Sequence, residues 1–328
     1  MSNLEDEGLD RSVDTSRSVV SMTVPAVSLN PSKLGKPLLA LARLLTRNRA
    51  FQWLLGTSAQ RGLIPWPILG RLRVVGTHSI TSPSGHQITY VASAEDALAP
   101  SIIWKHGWES TTLRIFSDLC QISHRIIDVG AYSGIYSLMA TTENPELEAV
   151  AIEPNPEAYA LLERNIATNG LESRIRAIQA AATNRTGLGT LFINHDPTQS
   201  SMLADAKTTP HVGEVQVALV ALDDQRGEGP VDLIKIDVEG AELEVLEGGR
   251  DLIERDRPAV IVELLGKLEF EATHAFFKGF EYESVLHLGP EGPQPSAVRK
   301  QNRNHPNYLF LHHDSPHMTV VSQTGPRS

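Results

Sequence analysis

The sequence has little cysteine, few aromatic residues and no long apolar run. Its 328 residues include a single cysteine, Cys120, so an intramolecular disulfide is impossible and a reducing, cytoplasmic location is the simplest expectation. Cys120 shares an apolar pattern with Phe116 and Leu119, and we assign it no chemical role. No stretch approaches the roughly 20 apolar residues of a membrane span. The acidic N-terminus is not typical of a secretory signal.

An excess of positive charge is also lacking. The chain has 29 lysines and arginines against 39 aspartates and glutamates, which gives a formal net charge of −10. A general nucleic-acid-binding protein needs a basic face to neutralise phosphates. We therefore expect no nucleic-acid partner. The hydrophobic fraction of 41% is enough for a full core.

The N-terminal third differs in pattern from the rest of the chain. Residues 1–30 are rich in Ser, Thr and Asp and predict a disordered tail. Residues 31–100 predict an extension with a basic amphipathic helix over 36–55 and a β-hairpin over 70–93. Such a helix packs on its own domain or on a partner, or it lies on a membrane surface; packing is the favoured alternative.

Strands and helices alternate through the main domain, which we predict over residues 101–315, with a C-terminal tail over 316–328. Strands such as "RIIDVG" and "LEAVAIEP" are each followed by a helical pattern, and the last two strands fit an antiparallel pair. This alternation predicts an α/β fold with a doubly wound, mostly parallel seven-stranded sheet. Ligands then bind at the carboxyl ends of the strands.

The stretch "IDVGAYSG" predicts a strand running into a nucleotide-binding turn. Its glycines, Gly130 and Gly134, are spaced G-x-x-x-G rather than as the G-x-G-x-x-G dinucleotide fingerprint. Asp128 precedes the turn, and a carboxylate there repels a pyrophosphate but suits a cationic ligand. Glu153 ends the next strand, where an acid accepts hydrogen bonds from ribose hydroxyls. The turn therefore favours S-adenosylmethionine over NAD, although ribose recognition alone is common to both.

Charged residues alternate along the later strand "LIKIDVEG". With a period of two, Lys235, Asp237 and Glu239 share one face. Glu263, on the following strand, adds another carboxylate. Buried charges are costly unless they are paired. This cluster is either where substrate meets cofactor or a structural network of salt bridges.

Four ordered blocks resemble a known family. They are "IDVGAYSGIYSLMA", "AIEPNPEAYALLERNIATNG", "DLIKIDVEGAELEVLEGG" and "PAVIVEL". Together they resemble the FkbM-type S-adenosylmethionine-dependent methyltransferases, a class I Rossmann-like group. The resemblance covers roughly residues 100–290.

The resemblance implies a set of cofactor-binding residues. The first turn would wrap the methionine part of the cofactor, Glu153 would bind the ribose, and the end of the third strand would meet the adenine. Asn155 has a simpler role as a helix cap. The candidate contacts are Asp128, Gly130, Ala131, Tyr132, Ser133, Gly134, Glu153, Asn155, Ala181 and Asp237.

Candidate catalytic residues are those that could take the proton of an alcohol when it receives the methyl group. Asp237 is the first candidate and Glu239 the next. Lys235 would orient these carboxylates, or act as the base if burial lowers its pKa. His106 is a further candidate, whose alternative is a structural hydrogen bond. His195 and Asp196 lie on a loop that could cover the acceptor.

No metal is assigned. The chain has no Cys/His spacing for zinc, although Asp237, Glu239 and Glu263 could bind Mg²⁺. The predicted function is methyl transfer from S-adenosylmethionine to a hydroxyl of a small molecule, a natural product or a sugar. The alternatives are a non-catalytic scaffold that binds the cofactor and an NAD(P)-dependent oxidoreductase.

Overall fold

The structure is a computed structural model, and it describes most of the chain beyond residue 72. The described residues are 54–55, 57–58, 63–64, 69, 72–104, 108–194, 212–225, 227, 229–300 and 305–323. The strands are β1 (Gly76–Thr81), β2 (Gln87–Ala92), β3 (Arg125–Val129), β4 (Glu148–Ile152), β5 (Ile175–Ile178), β6 (Ala180–Ala182), β7 (Gly187–Ile193), β8 (Gly213–Val220), β9 (Leu233–Ile236), β10 (Ala259–Glu263), β11 (Ser284–Gly289), β12 (Gly292–Pro295) and β13 (Asn307–Leu311). The helices are α1 (Ala99–Trp104), α2 (Ser110–Cys120), α3 (Ile135–Glu143), α4 (Pro156–Thr168), α5 (Glu242–Glu247), α6 (Arg250–Asp256), α7 (Lys267–Lys278) and α8 (His317–Gln323).

The main sheet has eight strands in the order β12-β11-β13-β10-β9-β3-β4-β5. Strands β10, β9, β3, β4 and β5 are parallel, while β13, β11 and β12 continue the sheet as antiparallel strands. The mostly parallel α/β prediction is confirmed. The sheet has one strand more than the seven expected, because β12 forms a tight hairpin with β11.

Helices cover both faces of the main sheet. Alternate residues of each strand point to opposite faces, so Ile126 of β3 packs in one core and Ile127 in the other. Helices α2, α3 and α4 contribute to the first core, and α5, α6 and α7 to the second. Apolar residues are therefore buried on both sides of the central strands, as expected for a doubly wound sheet.

A three-stranded sheet follows the parallel strands, in the order β6-β8-β7. The strand predicted over "RIRAIQAAAT" is divided, because the chain leaves β5 at Ile178 and its buried alanines, Ala180–Ala182, pair with β8. The two strands predicted after it, β7 and β8, are present as an antiparallel pair.

The predicted N-terminal hairpin is present and docks on α4. Asn165 of α4 and Asn169, which directly follows α4, take the place of a neighbouring strand for β2. The Asn165 side-chain oxygen accepts from Val91 N at 2.7 Å, and that of Asn169 accepts from Thr89 N at 3.0 Å. The same Asn165 side chain donates to the carbonyl of Ser133, so the hairpin is tied to the predicted cofactor turn.

Several predictions fall on parts of the chain that the structure does not describe. The predicted tail over 1–30, nearly all of the basic helix, His106, His195 and Asp196 lie outside the described residues. The segment predicted as a C-terminal tail over 316–328 is not all tail, because α8 packs against the first core and buried His317 contacts Ser123. Among the described helices, none is both long and apolar enough to span a membrane.

Candidate cofactor and acceptor site

A cavity of about 270 Å³ lies at the carboxyl ends of β3, β4 and β9. It is close to the lower end of the roughly 300–1,000 Å³ range of ligand pockets. Its walls combine apolar side chains, backbone of the β3–α3 turn and several carboxylates. The lining residues are Leu98, Trp108, Glu109, Val129, Gly130, Ala131, Tyr132, Ile135, Tyr136, Ile152, Glu153, Pro154, Ala181, Ala182, Leu191, Asp237, Val238, Glu239, Ala241 and Glu263.

The turn between β3 and α3 has left-handed backbone at three positions. Gly130, Tyr132 and Gly134 have φ angles of 76°, 50° and 84°. A Cβ atom on Gly130 would lie 1.8 Å from the carbonyl oxygen of Asp237, so glycine lets this turn pass directly over the end of β9. A Cβ on Gly134 would lie 2.4 Å from Leu162, so this glycine serves the packing of α4 and does not line the cavity.

Glu153 follows β4 and lines the cavity. Its carboxylate holds the neighbouring turns in place by hydrogen bonds. Its two oxygens accept from the backbone N–H groups of Tyr132 and Asn155, each at 2.8 Å. Burial raises the pKa of Glu153 to about 7, against these two stabilising hydrogen bonds. Each carboxylate oxygen has a second lone pair, so the group retains the capacity to accept two ribose hydroxyls.

Asp128 lies behind the cavity wall. It is 2% exposed, and its Oδ2 accepts from the backbone N–H of Ser137 at 3.1 Å and from the Ser137 hydroxyl at 2.7 Å. It faces α3 because it shares the sheet face of Ile126. Burial raises the pKa of Asp128 to about 6. In this arrangement Asp128 anchors the first turn of α3, and a direct contact with the cofactor stays a prediction.

The charged residues of β9 and of the turn after it converge, but the strand alternation predicted for them does not extend beyond Ile236. Lys235 is 1% exposed, and its Nζ lies 3.3 Å from Oδ2 of Asp237. Strand β9 ends at Ile236, and the left-handed backbone of Glu239, with a φ of 53°, belongs to the turn that follows. Carboxylate oxygens of Asp237, Glu239 and Glu263 lie within 4.8 Å of one another. The Lys235 ammonium supplies positive charge beside them, and we assign no metal to this group.

The protonation of this group follows from its burial and pairing. Burial acts to lower the pKa of Lys235, but Asp237 and the other carboxylates raise it above its ordinary value. Lys235 therefore stays charged at neutral pH, which is the opposite of what a lysine base requires. Burial acts to raise the pKa of Asp237, but Lys235 holds it low. Burial and Asp237 raise the pKa of Glu263, so Glu263 retains a proton.

The charge of the cavity has one sign. Among the described lining residues there is no lysine, arginine or histidine, and there are five carboxylic acids: Glu109, Glu153, Asp237, Glu239 and Glu263. A phosphate-bearing cofactor would meet like charge, and Lys235, the cation beside these carboxylates, lies behind the lining and is already paired with Asp237. A ligand with sulfonium and ammonium groups and no phosphate would meet opposite charge. The chemistry of the lining therefore fits S-adenosylmethionine.

Comparison with known proteins identifies the family. The family model described as "Methyltransferase FkbM domain" matches residues 128–300, which is more than half of the chain. The chain belongs to the FkbM methyltransferase family. The matched range begins at Asp128 and contains Glu153, Asp237 and Glu263.

Two curated relatives of this FkbM-family chain are methyltransferases. Methyltransferase sdnD of Sordaria araneosa is 30% identical over 153 residues, which cover 38% of this chain and 59% of the relative. The 31-O-demethyl-FK506 methyltransferase FkbM of Streptomyces tacrolimicus is 28% identical over 175 residues, which cover 42% of this chain and 66% of the relative. The chain thus spans about three fifths of the length of the curated relatives that it matches.

Among solved structures, a methyltransferase FkbM from Methylobacillus flagellatus KT is similar. It is 17% identical, with a TM-score of 0.42, and the match covers 58% of this chain and 44% of that one.

The cavity brings together many but not all of the predicted site residues. Those that line the cavity are Gly130, Ala131, Tyr132, Glu153, Ala181, Asp237 and Glu239. Those that lie outside its lining are Asp128, Ser133, Gly134, Asn155 and Lys235. Asn155 caps α4, since its side chain accepts from Glu157 N at 3.0 Å, as its simpler role predicts. His106 lies outside the described residues.

Sequence reasoning gave no cofactor role to the wall formed by Leu98, Trp108, Glu109, Tyr136 and Leu191. Tyr136 donates a hydrogen bond to Glu109, and these residues are 27 positions apart. Tyr136 belongs to an apolar helix pattern and is counted as a core residue there. A single hydroxyl group does not change that periodic pattern, so the sequence does not mark Tyr136 as a site residue. Trp108 and Glu109 are adjacent in the sequence, in the segment before β3, where no strand end marks them as residues of the site.

Proposed function

We propose that the chain is an S-adenosylmethionine-dependent methyltransferase that methylates a hydroxyl of a small molecule. The observation that carries this proposal is the cavity at the carboxyl ends of β3, β4 and β9. Its described lining has five carboxylic acids and no basic side chain. Family membership gives the methyl-transfer chemistry. The acidic lining supports S-adenosylmethionine, which carries cationic groups and no phosphate, as the methyl donor.

The residues of the cavity divide into cofactor-binding roles. The Glu153 carboxylate would accept hydrogen bonds from the ribose hydroxyls. Backbone of Ala181 and Ala182, at the end of β6, would meet the adenine. Gly130 and Ala131 would place the methionine part over the end of β9. When bound, the cofactor supplies a methyl group already activated by its sulfonium.

The other end of the cavity suits the acceptor hydroxyl. Asp237 is ionised and held by Lys235, so it would orient the acceptor hydroxyl and accept its proton. Glu263 lies beside Asp237 and retains a proton, so it adds no second negative charge that would repel the Asp237 carboxylate. Holding the acceptor in line and excluding water is the main task of the protein here.

The acceptor class rests on charge and on a relative. The relative from Streptomyces tacrolimicus is named as a methyltransferase of 31-O-demethyl-FK506, which supports an oxygen acceptor on a small molecule. The net charge of −10 and the acidic cavity disfavour an anionic polymer such as nucleic acid. An NAD(P)-dependent oxidoreductase is disfavoured because the pyrophosphate of its cofactor would lie among the carboxylic acids of the cavity.

The direct test is transfer of a labelled methyl group. The purified chain is incubated with methyl-radiolabelled S-adenosylmethionine and either a panel of hydroxylated natural products and sugars or an extract of the organism that encodes the chain. We expect a labelled product whose label resists base hydrolysis, as an ether does and an ester does not. Label on nucleic acid, or a base-labile label, would contradict the proposed acceptor.

A further inference from the structure

Glu109 breaks two local rules at the start of α2. It has a φ of 44° and a ψ of 29°, in the left-handed region that non-glycine residues avoid. It also occupies the N-cap position without making a side-chain capping hydrogen bond. Asp, Asn, Ser and Thr are the residues preferred at an N-cap, and Glu is not among them. A long acidic residue with strained backbone is therefore not explained by helix formation.

The side chain of Glu109 instead lines the cavity. Its Oε2 accepts from the Tyr136 hydroxyl, and both residues line the cavity wall. Tyr136 is in the first turn of α3, directly after the predicted methionine-binding turn. Burial and the Glu109 carboxylate raise the pKa of Tyr136, so its hydroxyl remains a donor to Glu109. The Tyr136 ring also lies 5.3 Å from Nζ of Lys235.

Two of the other acids of the cavity are engaged at different places in the site. Glu153 holds two backbone N–H groups, and Asp237 pairs with Lys235. Glu109 is the acid in contact with the first turn of α3, beside the place where the amino-acid end of the cofactor would lie. Strained residues cluster where function requires them.

We propose that the Glu109 carboxylate, positioned by the Tyr136 hydroxyl, binds the α-ammonium group of the methionine part of the cofactor. The inference rests on the proposed function, since it assigns a residue to the same cofactor. Glu109 is the binding residue, and Tyr136 is a positioning residue that acts through it.

Two probes that differ in the amino-acid part test this assignment by calorimetry. S-adenosylhomocysteine carries the ammonium group, whereas 5′-methylthioadenosine has the same nucleoside without the amino-acid part. In Glu109→Gln we expect the affinity for S-adenosylhomocysteine to fall about 10- to 100-fold, the range for losing a charged hydrogen bond. The affinity for 5′-methylthioadenosine should change less than about twofold.

Two other outcomes would overturn the assignment. Equal weakening of both probes would mean that the cavity as a whole has been disturbed. Unchanged binding of S-adenosylhomocysteine would mean that Glu109 does not bind the ammonium group. A wild-type chain that binds neither probe would instead contradict the proposed function. The exposed Glu172 provides the matched control, and Glu172→Gln should bind both probes as the wild type does.

Two further variants keep the test independent of folding. Asn tolerates left-handed backbone better than Glu, so the thermal midpoint of Glu109→Asn should be at or above that of the wild type, while its affinity for S-adenosylhomocysteine should fall as in Glu109→Gln. Tyr136→Phe should weaken S-adenosylhomocysteine but not 5′-methylthioadenosine, and it should add little to Glu109→Gln. Weakening of both probes by Tyr136→Phe would show a purely structural role.

Discussion

Left-handed backbone at non-glycine residues concentrates at the cavity. Five such residues occur in the described part of the chain, and Glu109, Tyr132 and Glu239 among them line the cavity. Each costs roughly 1–3 kcal/mol and persists because the surrounding structure fixes it. Tyr132 illustrates the constraint, since its N–H is held by Glu153 and its hydroxyl accepts from Ala97 N at 3.0 Å. We infer that the cavity is organised before a ligand arrives.

The pKa of Glu153 predicts a pH-dependent stability. Burial raises this pKa from 4.5 to about 7, so the folded chain binds the proton more tightly than the unfolded chain. The stabilising contribution is complete below pH 4.5 and is lost as the pH rises through about 7. Over that window this group removes about 3 kcal/mol from the free energy of unfolding of the ligand-free protein.

Denaturant unfolding at several pH values measures this contribution. Glu153→Gln cannot ionise, so its free energy of unfolding should fall less steeply between pH 5 and pH 8 than that of the wild type. The exposed Glu172→Gln should keep the slope of the wild type. A slope unchanged by Glu153→Gln would show that Glu153 is not the group that titrates.

Asp237 is predicted to act in turnover more than in cofactor binding. Asp237→Asn keeps the size of the side chain but removes its capacity to accept a proton, so kcat should fall roughly 10²- to 10⁴-fold. The affinity for S-adenosylhomocysteine should fall less than about tenfold. Asp224→Asn makes the same chemical change at an exposed position and should leave kcat unaltered. If Asp237→Asn keeps full turnover, Glu239 becomes the candidate for the proton acceptor.

At the scale of elements, the contact between the β3–α3 turn and the end of β9 sets the geometry of the site. Gly130 lies so close to the Asp237 carbonyl that no side chain fits between them. The backbone N–H of Asp237 also donates to Val129 O at 2.9 Å. The turn that would hold the cofactor is thereby fixed to the loop after β9, which carries Asp237 and Glu239, the candidate proton acceptors.

A pair of glycine substitutions isolates the contribution of this contact. Gly130→Ala meets backbone at 1.8 Å, whereas Gly170→Ala has a similar φ of 66° and nothing within 4 Å. Gly170→Ala should cost about 1–2 kcal/mol of unfolding free energy for the left-handed backbone alone. Gly130→Ala should cost at least ~2 kcal/mol more. Equal costs in denaturant unfolding would show that the close approach does not contribute.

The sequence predicted the elements better than their pairing. Continuous apolar runs identified β3, β4, β9 and β10, and glycine spacing identified the turn. The second sheet was not predicted, because the move of Ala180–Ala182 from β5 toward β8 depends on a contact between distant segments. The direction of the Lys235 pKa also depends on carboxylates from other elements, so the burial of its strand alone could not decide between orienting the carboxylates and acting as the base.

At the scale of the whole molecule, one end of the main sheet carries the candidate site. Parallel strands bring Glu153, Asp237 and Glu263 to the same edge, although they are far apart in the sequence. The residues that follow strand ends were therefore predictable. Residues contributed by the segment before β3, such as Leu98 and Glu109, were not, because no sheet register fixes their position in advance.

The acidic character of the cavity distinguishes the whole-molecule alternatives. A nicotinamide dinucleotide brings a pyrophosphate to a lining with five carboxylic acids, whereas S-adenosylmethionine brings two cationic groups against one carboxylate and no phosphate. A scaffold protein would bind the same cofactor without turnover. Binding selectivity therefore tests the central claim, and methyl transfer then separates enzyme from scaffold.

The most direct measurement is a calorimetric titration of the wild-type chain with S-adenosylhomocysteine and, separately, with NADH. We predict saturable one-to-one binding of S-adenosylhomocysteine, no saturable binding of NADH, and an affinity at least about tenfold lower in Glu153→Gln, where ribose hydrogen bonds are lost. Binding of NADH without S-adenosylhomocysteine, or undiminished binding in Glu153→Gln, would contradict the account.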